Sequence, residues 1–583
     1  MANKSQENIS PFNRNFFDSD KAITYIGTGL LGGKAQGLVS INENLTSRLN
    51  TDDFSQIKIS VPTMTVIRTD IFDTFMGQND LYPIALSDVS NDRIAHAFQS
   101  AEIPFEILGD LRGLISHMHS PLAVRSSGIL EDALYEPFAG VYGTKMIPNN
   151  QLDTDTRFNK LIEAIKFVYA STYFKASKDY INATGYNIEK EKMAVIIQEV
   201  VGRRHHDRYY PEVSGVARSY NFYPMGRALP EDGVVNLALG LGKTIVDGGI
   251  SWDYSPAYPK IDPPYGSVEE FLNQTQNEFW VVNMGEPAAY DPIKDTEYMF
   301  KENLTAAEMD GTLRQVASTL DNNSGKLSIG IGTDGPRVLT FAPLLILNDI
   351  PLNKLIKSLM SLCEVVFHAP VEIEFAMTFD KHENSDKPHH FGFLQVRPMV
   401  VSTEKVNLDK EELTGDNILV ASEHVLGNGR LSTIKDIVYV NPEKFEAKHT
   451  RKIASEVASI NKKLLRSNRP FLLIGFGRWG SSETWLGIPV NWGQISGAKV
   501  IIEASRENMN VQLSQGSHFF HNLTSFHVYY FSISASGSYS IDWDWLSRQP
   551  VEEETRFIRH VKLLSPLQIK VNGRNGCGVI YKS

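Results

Sequence analysis

The runs VEIEFAM (residues 371–377) and FGFLQVRPM (391–399) hold the side chains best suited to chemistry in this 583-residue chain. In a strand, successive side chains point to opposite faces, so Glu372 and Glu374 share one face while Val371, Ile373 and Phe375 share the other. By the same count Gln395 and Arg397 lie together, opposite Leu394 and Val396. The intervening MTFDKHENSDKPHH is polar and turn-rich, which predicts a long-looped antiparallel hairpin that brings Glu374, Gln395 and Arg397 together. Carboxylate and amide oxygens suit Mg²⁺, which keeps water and substrate phosphate in its other positions, and a guanidinium suits a phosphoryl group. The same pattern also fits an exposed strand face with an ordinary Glu–Arg ion pair.

Other stretches carry phosphate-binding residue types. In GTGLLGGKAQGLVSI, Gly32 and Gly33 precede Lys34 and a helix-like segment, so backbone amides and an ammonium could line one concavity; a plain glycine turn fits as well. In PLAVRSSGILEDALYEPFAG an apolar strand ends on Arg125, followed by Ser126, Ser127 and the acidic Glu131 and Asp132. LALGLGKTIVDGG contains Gly-Lys-Thr, but a Walker A loop needs glycine where Leu237 stands. Gly240 and Gly242 still form a flexible turn, and Lys243 and Thr244 could meet a phosphate or cap the next element. GFGRWGSSETWLGIPVNWG joins Arg478 to Trp479, Trp485 and Trp492, as an anion-binding loop with stacking surfaces or as a packed turn. SQGSHFFHNLTSFHVYYF sets Ser517 before His518, with His521 and His527 nearby. A histidine at a helix start could carry phosphate, and His518 with His521 could bind metal, whereas histidines packed among aromatics fit equally. His205 and His206 have no accompanying carboxylate or cysteine pattern and read as a solvated loop.

Three regions position these residues. Residues 1–188 alternate strand-like runs such as KISVPTMTVI with helical ones such as FNKLIEAIKFVYASTYFKAS, where Leu161, Ile162, Ile165 and Val168 recur at helical spacing. Residues 189–402 are richer in strands, residues 403–417 read as a polar linker, and residues 418–583 form a mixed α/β region. There Ile453, Val457, Ile460 and Leu464 stripe one helix. The net charge of −11 argues against nucleic acid as the main partner. Two distant cysteines, Cys363 and Cys577, indicate neither a disulfide framework nor a zinc site. With no signal peptide and no long uncharged apolar run, the sequence predicts a soluble cytoplasmic protein without a membrane partner.

Taken in order, these segments resemble the nucleotide-binding part of phosphoenolpyruvate synthase and pyruvate phosphate dikinase over residues 20–400. GGKAQGLVSI is similar to the family's glycine-rich opening, VPTMTVIRTDIFDTFM to its next strand and helix, and PLAVRSSGILEDALYEPFAG to its Val-Arg-Ser-Ser…Glu-Asp…Phe-Ala-Gly segment. MAVIIQEVVG with EVSGVARS, LALGLGKTIVDGG, and VEIEFAM with FLQVRPM resemble later family segments.

The resemblance implies an α+β or α/β ATP-grasp unit of two subdomains closing on Mg-ATP, followed by a smaller mixed domain. Residue by residue it implies that Gly32, Gly33, Lys34, Arg125, Ser126 and Ser127 hold phosphates. Gln198, Glu199 and Val200 then lie near adenine, Glu374 and Gln395 bind Mg²⁺, and Arg397 faces the γ-phosphate. Gly240, Gly242 and Lys243 complete the nucleotide site. Lys243 replaces an acidic family residue, and Glu372 replaces an aspartate with a longer arm. The family's phosphohistidine motif is absent, and too few residues follow 402 for its swivelling domain and its pyruvate-binding barrel together. The expectation is an ATP- and Mg-dependent phosphotransferase with an unidentified acceptor, pyruvate being poorly supported, and with His518 as a candidate phosphocarrier. A nucleotide-binding regulatory or scaffold protein, or an ATP-grasp ligase, are the alternatives.

Overall fold

The computed structural model of the chain describes all residues except 1–8, 15–21, 132–139, 185, 225, 261–270, 273–274, 323–324, 380–388, 402–403, 405, 482–484, 507–517, 536 and 583. Its first sheet has six strands in the spatial order Ser10–Pro11, Ile23–Ile26, Met64–Ile67, Met193–Glu199, Leu122–Gly128 and Thr144–Ile147. The continuous apolar runs arise because both faces are covered. Ile67, Val195 and Ile197 pack with Phe72, Leu111, Leu161 and Val168 of the helices on one side. Met64, Val66, Ala194 and Ile196 pack with Leu38 and residues of the second sheet on the other. Period-two alternation thus distributes one strand between two cores. The predicted helix runs from Thr154 to Ser171, opened by an Asp153 side chain that accepts from the Thr156 amide. It stops there, and a separate helix covers Lys175–Thr184.

The second sheet has the order Trp252–Tyr254, Val234–Ala238, Val213–Arg218, Val371–Phe379, His389–Pro398 and Ile57–Ser60. The two strands of the predicted hairpin are antiparallel, with Glu372 opposite Arg397 and Glu374 opposite Gln395; its tip lies outside the described residues. The register then shifts, so that Phe375 faces Phe393 and Leu394 is the extra residue of a bulge. Strands cross the sequence boundary at residue 188. Ile57–Ser60 joins the second sheet, parallel to His389–Pro398, and Met193–Glu199 lies inside the first.

The C-terminal region is built on a seven-stranded mixed sheet, with Phe471–Phe476 between Asp436–Val440 and Ala498–Ala504, and the helix Thr450–Arg466. Ile453, Val457, Ile460 and Leu464 of that helix are buried, as their stripe predicts. The segment expected as a linker is itself packed: Leu408 and Leu413 are buried beside Cys577 and Val579. Tyr180 donates to Asn522 Oδ1 at 3.2 Å and its ring meets that of Phe526 edge-on at 5.5 Å, so this region docks on the first sheet's helices.

Within the second sheet, Glu372 holds two arginines. Arg218 Nε donates to its Oε2 at 2.5 Å and Arg397 Nε to its Oε1 at 2.7 Å, and all three side chains are almost wholly buried. Removing one partner of a buried ion group strands the others away from water. Glu372→Ala is therefore expected to cost about 3–5 kcal/mol in urea unfolding; a loss below about 1 kcal/mol would mean that the group behaves as a surface pair.

Candidate functional site

The sheets meet at Arg125. It sits on the Leu122–Gly128 strand opposite Ile196, two residues from Ala123, which faces Gln198. Its Nη1 donates to Gln198 Oε1 at 3.2 Å and to the Leu394 carbonyl at 2.9 Å. Its Nη2 donates to Gln395 Oε1 at 2.5 Å and lies 3.9 Å from Glu374 Oε2. One guanidinium thus reads one oxygen from its own sheet and three from the other. The bulge explains the third: Leu394 has no ladder partner on the Val371–Phe379 strand, so its carbonyl is free to turn toward Arg125.

Beside it, the helix Gly33–Arg48 begins against the end of the Arg125 strand. Gly32 has φ 75°, and a Cβ there would lie 1.8 Å from the Ser127 carbonyl oxygen, so only glycine permits this approach. Ser127 Oγ accepts from the Ala35 amide and donates to the Leu31 carbonyl, fastening the helix start to the strand. Lys34 Nζ donates to Glu131 Oε1 at 2.5 Å and to Ser126 Oγ at 3.2 Å. Glu131 in turn accepts from Ser126 Oγ and the Gly128 amide, each at 3.0 Å. The acidic residue after the two serines therefore anchors the ammonium and the turn; Asp132 lies outside the described residues. Behind it, Glu191 packs so tightly over Gly128 that a Cβ on the glycine would meet Glu191 Oε1 at 2.4 Å. Burial, then the charge of Glu131, pushes the Glu191 carboxyl up to about 8.

A small apolar cluster separate from the large cores lies between the sheets: Ala123, Val200, Leu241, Val282 and Met284, with Trp280 packed against it. Val200 closes one edge, its amide donating to the Pro121 carbonyl and its carbonyl accepting from Tyr209. The Glu199 amide is likewise taken, by the Thr63 carbonyl. Lys145 pairs with Glu297, both nearly fully buried, and donates to the Asp291 carbonyl at 3.0 Å, tying the first sheet to the segment after Met284. Gly240 has φ 81°, and a Cβ there would lie 2.7 Å from the Trp280 carbonyl oxygen.

Some expected members stand apart. Arg397 is turned into the Arg218–Glu372 group, because the glutamate's longer arm reaches both guanidinium groups. Gly242 precedes a short helix, and Lys243 at its start lies 3.0 Å from both Asp247 and Asp295. Burial opposes its charge, yet the two aspartates outweigh burial and raise its pKa. His518 opens the helix His518–Ser525, but its side chain, that of His521 and all of Ser517 lie outside the described residues. His205 and His206 belong to a β-hairpin rather than a loop, with His206 at its turn. Arg478 is buried and donates to the Gly248 carbonyl at 2.8 Å; Trp479 and Trp492 are buried and Trp485 is 53% exposed. Glu131 was legible as a family acid without a role, whereas Glu191 and Asp295 gave no local signal.

The two facing sheets joined at Arg125 make a mixed α/β unit of the ATP-grasp type. Residues 28–416 match the family described as "Pyruvate phosphate dikinase, AMP/ATP-binding domain", and the chain belongs to that family. It thus carries a dikinase-type ATP/AMP-binding domain, and the match ends before the C-terminal seven-stranded sheet. The chain matches no curated protein. Among the described residues no helix is long and apolar enough to cross a membrane.

The Glu191 carboxyl gives a test of the site's packing. An acid whose pKa is raised on folding holds its proton more tightly in the native state, so stability is fully present below the ordinary carboxylate value and is lost as pH rises to about 8. Denaturant midpoints should fall across that window in the wild type and fall less in Glu191→Gln; parallel curves would contradict the buried protonated acid.

Proposed function

We propose that the chain is an ATP- and Mg-dependent phosphotransferase that delivers a phosphoryl group to an unidentified acceptor. The observation that carries this is the Arg125 guanidinium joined to Gln395 and set beside Glu374 across the cleft between sheets. Phosphoryl transfer asks for positioning and charge neutralisation more than covalent chemistry, and these residues supply both.

Glu374 and Gln395 occupy paired register positions and offer hard oxygen donors, which fits Mg²⁺. Among the described residues no group of three or more His, Cys, Asp or Glu could hold a metal by itself. When bound, Mg²⁺ supplies charge neutralisation on the phosphates. Arg125 leaves Gln395 Oε1 to fork onto phosphate oxygens, and Lys34 exchanges Glu131 for a phosphate oxygen while Glu131 keeps the serine turn in place. Ser126 and Ser127 add little bulk, so phosphate can approach the turn. The base lies against the apolar cluster near Gln198, Glu199 and Val200. His518 is the candidate carrier into the C-terminal region. The two cysteines are buried and unpaired, consistent with a reducing cytoplasm.

The burial of Arg397 in the Glu372 group favours a second reading, a nucleotide-binding regulatory protein, since a family phosphate ligand is then spent on structure. Incubation with Mg-ATP labelled at the β or γ position separates the two. AMP or ADP release, with an acid-labile phosphate mapped to histidine or found on an added acceptor, supports transfer. Tight binding without turnover supports regulation. Arg125→Ala and Glu374→Ala should each lower ATP-dependent turnover by about 10²-fold or more with folding intact, the scale of a lost transition-state donor. An unchanged rate in either variant removes that residue from the site.

A further inference from the structure

The ATP-binding unit and the C-terminal region enclose another cleft, of about 280 Å³, whose walls share no residue with the Arg125 site. On one side stand Tyr220 and Phe222, their rings edge-on at 5.1 Å, and Val401, just past the strand that carries Gln395. On the other stand Asn428 and Tyr529, with Glu404 and His527 also in the lining. Small-molecule sites favour such domain seams, with apolar and aromatic walls and a few placed polar groups.

Three observations specify the chemistry. Asn428 Oδ1 is buried without a hydrogen-bond partner, an acceptor that calls for a donor. Among the described residues of the lining, Glu404 is the one Asp, Glu, Lys or Arg. Gly427 and Gly429, at φ 100° and 147°, bring the backbone against these groups: a Cβ on Gly427 would lie 2.6 Å from the Tyr529 ring, and one on Gly429 would lie 2.0 Å from the Tyr529 hydroxyl and 2.9 Å from Glu404 Oε2. Burial and then the Glu404 charge raise the Tyr529 phenol, which stays neutral beside the carboxylate. Aromatic faces, a carboxylate and an unanswered amide oxygen attract positive N–H donors and repel anions.

We propose that this cleft binds a small organic cation, its apolar body against Tyr220, Phe222 and Val401 and its ammonium donors on Glu404 and Asn428. Calorimetric titration of the full chain with benzylamine, its neutral counterpart benzyl alcohol and the anion benzoate tests it. Benzylamine should bind about tenfold more tightly than the alcohol, and benzoate should not bind. Glu404→Gln should erase the preference for the amine, Asn428→Ala should weaken amine and alcohol alike, and Val401→Trp should fill the cleft and abolish both. ATP binding should persist in all three variants as the check on folding; if Asn428→Ala fails it, Glu404→Gln alone decides. Absence of benzylamine binding to the wild type, equal binding of amine and alcohol, or undiminished amine preference in Glu404→Gln would overturn the proposal.

Discussion

The two sheets of the nucleotide-binding unit share one charge. Arg125 starts in the first sheet and finishes on oxygens of the second, and three of its four nearby oxygens belong to the facing layer. A guanidinium is always charged and planar, so it holds several acceptors in fixed directions at once. Much of the surrounding structure serves that reach: the bulge that frees the Leu394 carbonyl, the paired Glu374 and Gln395, and the glycine-opened helix that brings Lys34 alongside. Without a ligand the cation is satisfied by protein oxygens, and Lys34 is satisfied by Glu131. On the function proposed above, these protein oxygens stand where phosphate oxygens would bind.

Arg218, Glu372 and Arg397 form a second layer beneath it. Glu372 and Arg397 lie two residues along the same strands from Glu374 and Gln395, on the same face, yet almost wholly buried. Of these four polar residues only Glu374 is partly exposed; Gln395 beside Arg125 is buried, as Glu372 and Arg397 are. A carboxylate shared by two arginines is costly to desolvate but hard to break, which fixes the register on which the Glu374–Gln395 pair depends.

The hairpin register, the Leu161–Val168 helix and the Ile453–Leu464 stripe were legible because each rests on periodicity within a short window. Arg125 and Lys34 were legible from residue type combined with order along the chain. The partners were not. Glu191, Asp295 and the Leu394 carbonyl reach the site through contacts between distant segments, and a bulge leaves no mark in a strand that alternates normally on either side. The partner of Arg397 was not legible for a related reason. Strand parity gives the face of a side chain but not whether that face is open, and Arg218, far away in sequence, closes it.

The exchange of strands across residue 188 bears on how the protein is made. Ile57–Ser60 pairs with His389–Gly392, and Ser60 bonds His390 across 330 residues of chain. During synthesis this strand emerges early and its partner late, while the first sheet can close only after Met193–Glu199 appears between two strands already present. The first sheet can close once residue 199 has emerged, the second only once residue 398 has. An early strand edge stays unpaired for most of translation, a long-range closure that is slow and exposed to wrong partners. The connectivity that joins both sheets at Arg125 therefore leaves their closure to pairing between segments made far apart in time.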